Sequence, residues 1–259
     1  MIIKTPVTIP ELTQDKKRNL YVYLPKEYDA PENAGKNYPV LYMFDGHNVF
    51  FDEDATYGKS WGMKEYLEKL HLPLIVAAVE CNHEGDHRLM EYSPWDFENE
   101  RFGFIRGLGM IYMRWMTETL IPTIDSRYRT IPGRRGRGIC GSSMGGLMSV
   151  YALAAYPDIF SRAAGLSPSL WANYHDLKHL IEQADIPADT WLYMDYGSTE
   201  GRQEDLLRAL VWASEAFEKK NVSVCSRIIP GGFHSEASWE KQIPRFIRWL
   251  GWDHQGMSD

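Results

Sequence analysis

The sequence has 259 residues, of which 44% are hydrophobic and 24% charged, an ordinary globular composition. Its net charge of −7 argues against nucleic acid as a partner, because phosphate binding needs a basic surface. No apolar run approaches the about 20 residues of a membrane-spanning helix, the start lacks the apolar stretch of a signal peptide, and the three cysteines are widely spaced. We therefore expect a cytoplasmic protein with reduced thiols and no membrane partner, forming one domain over residues 1–259.

Apolar runs that are predicted as strands alternate along the chain with helical patterns. The predicted strands are 20–24, 40–44, 74–79, 138–140, 191–194 and 222–229. The predicted helices are 61–70, 112–121 (ending at Pro122), 147–156, 205–220 and 239–250. The first strand is expected to be antiparallel, and the continuous apolar runs of the others are typical of strands buried on both faces. This alternation predicts an α/β fold, with a mostly parallel central sheet and helices on both faces.

Residues 141–146, with the sequence GSSMGG, form the sharpest motif. They fit the pattern G-x-S-x-G with Ser143 at the centre, between a short strand and an apolar helix. In α/β-hydrolases this pattern is a tight turn in which the serine is strained and small neighbours prevent a collision. The motif predicts Ser143 as a nucleophile; the alternative is a glycine-rich turn without chemistry.

An activated serine needs a general base, which α/β-hydrolases supply as a histidine late in the chain. His234 follows the last predicted strand in the loop sequence PGGFHS, where a loop could deliver its imidazole. His254 lies in the polar C-terminal tail, which we expect to fray. The sequence therefore predicts His234 as the base.

The acid that orients this histidine should follow the preceding strand. Asp195 and Glu200 both qualify, since the strand at 191–194 runs into the sequence DYGSTEG. Asp195 could equally be a strand-end residue that is hydrogen-bonded in place. Glu200 lies in the loop beyond, nearer to where an acid must meet the imidazole, and we favour it while Asp195 stays open.

Two backbone N–H groups are predicted to stabilise an oxyanion. One is that of Met144, directly after the nucleophile. The other is that of His47, in the sequence DGHN at 45–48 after the strand 40–44, where Gly46 would aim the next N–H inward. Such donors stabilise the transition state of acyl transfer.

Taken together, these segments resemble the esterase D / enterobactin-esterase-like family of α/β-hydrolases, to which feruloyl and acetyl xylan esterases look related. The matching segments are YVYLPKEY at 21–28, YPVLYMFDG at 38–46, RLMEYSPW at 88–95, IDSRYRT at 124–130, SPSLW at 167–171, GSTE at 197–200 and GGFHSEASW at 231–239. The resemblance implies an α/β-hydrolase fold and serine ester hydrolysis, and its acid loop supports Glu200. At 45–48, DGHN stands where the S-formylglutathione hydrolase branch has an SGLTC-type segment, so we expect another ester.

Neither a metal nor an organic cofactor is expected. His83 and His87 are four residues apart, as are His175 and His179, a spacing that could hold a metal on a helix. Gly85 makes the first pair a loop, however, and no H-E-x-x-H motif is present.

Aromatic residues are dense in the segment 82–115, where α/β-hydrolases often carry a lid or pocket insertion. We expect Trp95 from this segment and Trp171 from the loop after the strand beside the elbow to line the substrate pocket. Ordinary core packing is the alternative for each aromatic residue.

The sequence thus predicts a serine carboxylic-ester hydrolase that forms an acyl-enzyme on a small, carbohydrate-linked or siderophore-linked ester. An acyltransferase that uses the same serine is one alternative, and a non-catalytic hydrolase-fold binding protein is another. The partner is expected to be a small-molecule ester, and a homo-oligomer stays open.

Overall fold

The computed structural model describes residues 1–201 and 203–253, and these contain ten strands and ten α-helices. The strands are β1 (Ile2–Thr8), β2 (Lys17–Tyr23), β3 (Val40–Met43), β4 (Ile75–Val79), β5 (Phe97–Asn99), β6 (Gly103–Ile105), β7 (Arg137–Ser142), β8 (Arg162–Leu166), β9 (Trp191–Gly197) and β10 (Ser223–Ile229). The helices are α1 (Pro10–Thr13), α2 (Met63–Lys69), α3 (His87–Glu91), α4 (Gly109–Trp115), α5 (Ile121–Arg127), α6 (Met144–Ala155), α7 (Tyr174–Gln183), α8 (Gln203–Glu218), α9 (Glu236–Glu240) and α10 (Ile243–Trp249). None of the helices in the described ranges is long and apolar enough to cross a bilayer.

Eight strands form one sheet in the order β1-β2-β4-β3-β7-β8-β9-β10. The first two pairings, β1 with β2 and β2 with β4, are antiparallel, and the other five are parallel. Successive side chains of β3 enter two different cores, Tyr42 on one face and Leu41 and Met43 on the other. Helices α4, α6, α7 and α8 cover the first face, and α2, α9 and α10 cover the second. The predicted α/β-hydrolase fold is confirmed.

All six predicted strands are present, with bounds that differ by a few residues. Four further strands, β1, β5, β6 and β8, are not among the predicted ranges. β1 contains Pro6, which lowers strand propensity, but β1 lies at the sheet edge, where proline is tolerated. The three-residue strands β5 and β6 pair only with each other, in a hairpin too short to give a periodic signal.

Two predicted helix bounds are wrong, both at prolines. The helix predicted to end at Pro122 continues, because a π-helical stretch, Met116–Leu120, joins α4 to α5 and the widened turn accommodates a residue without N–H. The helix predicted over 239–250 is two helices, α9 and α10. Pro244 lies in the first turn of α10, where its missing N–H would have no intrahelical acceptor.

A buried ion pair ties α3 to β2. The Arg18 Nη1 group donates to Glu91 Oε1 at 2.9 Å and to Oε2 at 3.0 Å, and both side chains are at most 5% exposed. Glu91 Oε1 also accepts the N–H of Asn82 at 2.7 Å. The position of α3 therefore depends on the Glu91 carboxylate, which neutralises the buried Arg18 guanidinium.

We expect Glu91→Gln to lower the free energy of unfolding by about 3–5 kcal/mol, because it leaves the buried Arg18 guanidinium without its counter-charge. The matched control is Glu11→Gln, which removes the exposed ion pair with Arg114 and should cost no more than about 1 kcal/mol. Urea unfolding measures both changes, and equal losses in the two variants would contradict the prediction.

Candidate active site

Ser143 lies on a strained turn between β7 and α6. Its backbone angles are φ 57° and ψ −122°, in a region that non-glycine residues rarely adopt. A Cβ on Gly141 would lie 2.6 Å from the carbonyl carbon of Gly145, so the close approach of strand and helix requires glycine here. The Ser143 N–H donates to the carbonyl of Leu166, and its carbonyl accepts the N–H of Ser169, each at 2.9 Å. The turn is thus held in place by the loop after β8.

His234 and Glu200 form a hydrogen-bonded pair at the ends of β10 and β9. His234 Nδ1 lies 3.0 Å from Glu200 Oε2, while Glu200 Oε1 accepts from Ser167 Oγ at 2.6 Å and from the Gly197 N–H at 2.7 Å. A carboxylate only accepts, so Nδ1 carries the proton and Nε2 is left as the basic nitrogen. Burial alone would raise the pKa of Glu200, but these three hydrogen bonds together lower it.

Ser167 and Trp239 support this pair, and sequence reasoning gave neither of them a role. Ser167 has φ 45°, and its Oγ accepts the indole N–H of Trp239 at 2.9 Å. The Trp239 ring also packs edge-on against His234, with ring centroids 5.0 Å apart. Both residues belong to segments of the family resemblance, which was the available signal.

Asp195, the other candidate for the acid, has a different side-chain partner from that of Glu200. Its buried carboxylate accepts the hydroxyl of Tyr193 at 2.8 Å, and its main-chain oxygen accepts the N–H of Ser167 at 2.8 Å. Burial raises the pKa of Asp195 to about 7, and the nearby Glu200 adds to the increase. The structure therefore brings Glu200 rather than Asp195 to the imidazole of His234. His254 lies outside the described residues.

The two expected oxyanion donors lie at the start of α6 and in the turn after β3. Met144 is the first residue of α6, so its N–H precedes the first intrahelical bond, and it lines the same pocket as Ser143. His47 is in the short 3₁₀ turn Gly46–Asn48. A Cβ on Gly145 would lie 2.9 Å from the Cβ of Phe44, so the end of β3 lies against α6. The role of the His47 N–H stays a prediction.

Arg88 fixes the turn that carries His47, a contact that no local pattern indicates. Its Nε and Nη2 groups donate to the two carboxylate oxygens of Asp45, each at 2.7 Å. Asp45 has φ 54°, and the hydroxyl of Tyr92 accepts its N–H at 3.2 Å. Burial would raise the pKa of Asp45, but the Arg88 guanidinium lowers it. The strained turn is therefore held by a bidentate ion pair.

A pocket of about 350 Å³ is lined by Ser143, Met144, Glu200 and His234. The remaining wall is largely apolar and includes Leu89, Phe102, Trp171 and Leu206, together with Arg101. Leu89, Arg101 and Phe102 come from the segment 82–115.

Trp171 is part of this wall and is 45% exposed, as a pocket residue can be. Trp95 is not among the lining residues. Its ring packs edge-on against Tyr151 of α6, with centroids 5.3 Å apart, and against the core. The pocket role of Trp95 stays a prediction of the sequence, and its ring contact with Tyr151 is the packing that the sequence analysis gave as the alternative.

Comparison with known proteins identifies related sequences and structures. The model of the Esterase family, described as "Putative esterase", matches residues 12–250. Uncharacterized protein YbbA of Bacillus subtilis (strain 168) is 26% identical over 244 residues, covering 90% of this chain and 92% of that protein.

Solved structures of similar fold cover nearly the whole chain. A ferulic acid esterase has a TM-score of 0.70 at 18% identity, covering 96% of this chain and 97% of that chain. The enterobactin esterase FES from Shigella flexneri, crystallised in the presence of enterobactin, has a TM-score of 0.72 at 14% identity, covering 96% of this chain and 58% of that chain. At these identities the likeness shows a shared fold.

We expect Asp195 to make stability fall with rising pH. The carboxyl ionises near 3.8 in the unfolded chain and near 7 in the folded one, so between these values the folded state holds a proton that the unfolded state releases. Relative to Asp195→Asn, the unchanged chain should lose about 1–3 kcal/mol of unfolding free energy between about pH 5 and pH 7.

Urea unfolding at several pH values measures this loss. Glu204→Gln, at an exposed position on α8, is the control and should keep the pH dependence of the unchanged chain. Parallel pH profiles for the unchanged chain and Asp195→Asn would contradict the assignment.

Proposed function

The chain belongs to the Esterase family and is a serine carboxylic ester hydrolase, and from this premise we propose that Ser143 is the nucleophile, His234 the general base and Glu200 the acid that orients it. The observation that carries the proposal is the hydrogen bond between His234 Nδ1 and Glu200 Oε2 at the pocket that also contains the strained Ser143. That bond leaves His234 Nε2 as the nitrogen that can accept a proton.

The proposed reaction begins with attack of Ser143 Oγ on the ester carbonyl, while His234 Nε2 accepts the hydroxyl proton. The imidazolium so formed is stabilised by the Glu200 carboxylate, which its hydrogen bonds keep ionised. His234 then gives the proton to the departing alcohol, and an acyl-enzyme remains.

The negative charge of each tetrahedral intermediate would be held by the N–H groups of Met144 and His47. One such donor contributes about 3–4 kcal/mol to transition-state stabilisation. The bidentate contact between Arg88 and Asp45 supports this part of the proposal, because it fixes the turn before His47. Water then attacks the acyl group, gives its proton to His234, and the acid is released as Ser143 recovers its hydrogen.

The exposure of the base is consistent with hydrolysis as the proposed second step. The His234 side chain is 46% exposed, so water can reach it after the alcohol has left. A purely binding role would use neither the strained serine nor the oriented imidazole. The cytoplasmic location and a homo-oligomer remain predictions of the sequence.

The proposed substrate is a small ester with an aromatic or otherwise apolar group, either alone or linked to a carbohydrate or a siderophore. Support comes from Trp171, Phe102 and Leu89, which give the pocket wall an apolar surface. Arg101 places a positive charge at the same pocket and would favour an ester with an anionic or hydroxyl-rich part.

Ser143→Ala should abolish ester turnover and labelling by a fluorophosphonate probe while leaving the fold intact. Ser143 supplies the attacking oxygen, and alanine retains the backbone bonds of the turn. The test compares p-nitrophenyl acetate, butyrate and octanoate with methyl ferulate, an acetylated xylo-oligosaccharide and a catechol trilactone. Ser169→Ala is the matched control, because it removes a hydroxyl that lies 3.4 Å from that of Ser143 but keeps the proposed nucleophile. This variant should still be labelled by the probe. Turnover by pure Ser143→Ala would refute the assignment.

Glu200→Gln should lower kcat by about 10²- to 10⁴-fold, since an amide can stabilise the wrong tautomer of His234 and cannot stabilise its charged form. Asp195→Asn is the control and should change kcat only a few-fold. Steady-state kinetics on the best ester of the panel measure both. If Asp195→Asn had the larger effect, the acid would be reassigned to Asp195.

A further inference from the structure

A second group of reactive side chains lies beside the turn after β3, outside the Ser143 pocket. It consists of His47, Cys81 and His83, and one potential ligand atom from each lies within 4.8 Å of those of the other two. Cys81 Sγ is 3.9 Å from His83 Nδ1, and the rings of His47 and His83 are 4.5 Å apart. None of the three lines the pocket that contains Ser143.

The sheet topology brings these residues together. Strands β3 and β4 are parallel neighbours, with Met43 opposite Ala78. Their carboxyl ends therefore lie side by side, and the chain beyond each end carries His47 on one side and Cys81 and His83 on the other. Because the contact joins segments that follow two different strands, no regular spacing of these residues along the sequence indicates it.

One ring nitrogen of His47 is within hydrogen-bond distance of a hydroxyl, and the other has no hydrogen-bond partner among the described residues. His47 is 3% exposed, and its Nε2 lies 2.9 Å from Thr56 Oγ1. Its Nδ1 is buried and has no hydrogen-bond partner in the part of the chain that the structure describes. A buried polar atom without a partner is costly. Histidines that bind metals characteristically have one ring nitrogen on the ion and the other held by a neighbouring polar group.

The two imidazole nitrogens and the cysteine sulfur suit a cation of intermediate softness. Two imidazoles and a thiolate are ligands that Zn²⁺ binds in tetrahedral sites, with water in an open fourth position. His83 is about half exposed, so its ring can adjust towards the ion, and its Nε2 lies 3.6 Å from the Glu80 carboxylate. On binding, the Cys81 thiol loses its proton to solvent and ligates as a thiolate.

We propose that the side chains of His47, Cys81 and His83 form a binding site for a divalent cation of the Zn²⁺ type, distinct from the Ser143 pocket although the backbone N–H of His47 is the proposed oxyanion donor. The sequence analysis considered the pair His83 and His87 and expected no metal there, whereas the structure brings His83 together with His47 and Cys81. His87 Nδ1 instead lies 3.2 Å from Asn82 Nδ2.

The test is a titration of the full-length, metal-stripped protein with Zn²⁺ in competition with a chromophoric chelator, followed by a titration with Co²⁺. We expect one ion per chain, and a thiolate-to-cobalt absorption band in the near ultraviolet. His83→Ala should weaken Zn²⁺ binding on the order of 100-fold or more, because it removes a direct ligand. His87→Ala, also exposed and four residues away, is the matched control and should bind like the unchanged chain.

Cys81→Ser should abolish the cobalt–thiolate band, whereas Cys225→Ser, which alters a thiol on β10, should keep it. Should the buried Cys81→Ser variant fail to fold, the half-exposed His83→Ala variant and the band of the unchanged chain still decide. No saturable binding, no thiolate band, or equal affinity in His83→Ala and His87→Ala would overturn the proposal. Ester turnover is not the readout, so this site and the proposed function can fail separately.

Discussion

The candidate active site depends on one close approach, that of the end of β7 to the start of α6. A side chain on Gly141 would collide with the backbone of Gly145 there. Ser143, within this tight turn, has a positive φ. Helix α6 is buried along nearly its whole length, so its packing maintains the strain. The loop after β8 then fastens the turn through Ser169, and the same loop supplies Ser167 to Glu200.

Two buried carboxylates on neighbouring parts of the chain have opposite protonation preferences. Glu200 accepts the hydrogen bonds described above and has a lowered pKa, whereas Asp195 is more deeply buried, accepts the hydroxyl of Tyr193 and has a raised pKa. Burial raises the pKa of both carboxyls, and the hydrogen bonds outweigh it only at Glu200. The carboxylate with the lowered pKa is therefore the one that lies beside His234, while the carboxyl of Asp195 lies against Tyr193.

The sequence was informative where chemistry is encoded locally. The elbow around Ser143, the apolar α6 and the histidine after β10 could be predicted, because each is a short pattern next to a periodic element. Trp95 could not be placed, since an aromatic residue suits a core and a pocket equally well. Two contacts arise because β3 and β4 are neighbours in the sheet: that of Arg88 with Asp45, and that of His47 with Cys81 and His83. The distance along the sequence between these segments does not indicate such contacts. The unpredicted parts are thus those determined by tertiary contacts between distant segments.

The order of the site residues along the chain has a consequence for synthesis. Ser143 directly follows β7, whereas Glu200 and His234 come later in the chain, after β9 and β10. A ribosome-bound chain that has already folded its central strands would, on the proposed assignment, carry a nucleophile without a base. Such a nascent chain would be inert towards esters until β10 adds to the edge of the sheet, so the pairing of this last strand would itself act as the activating step.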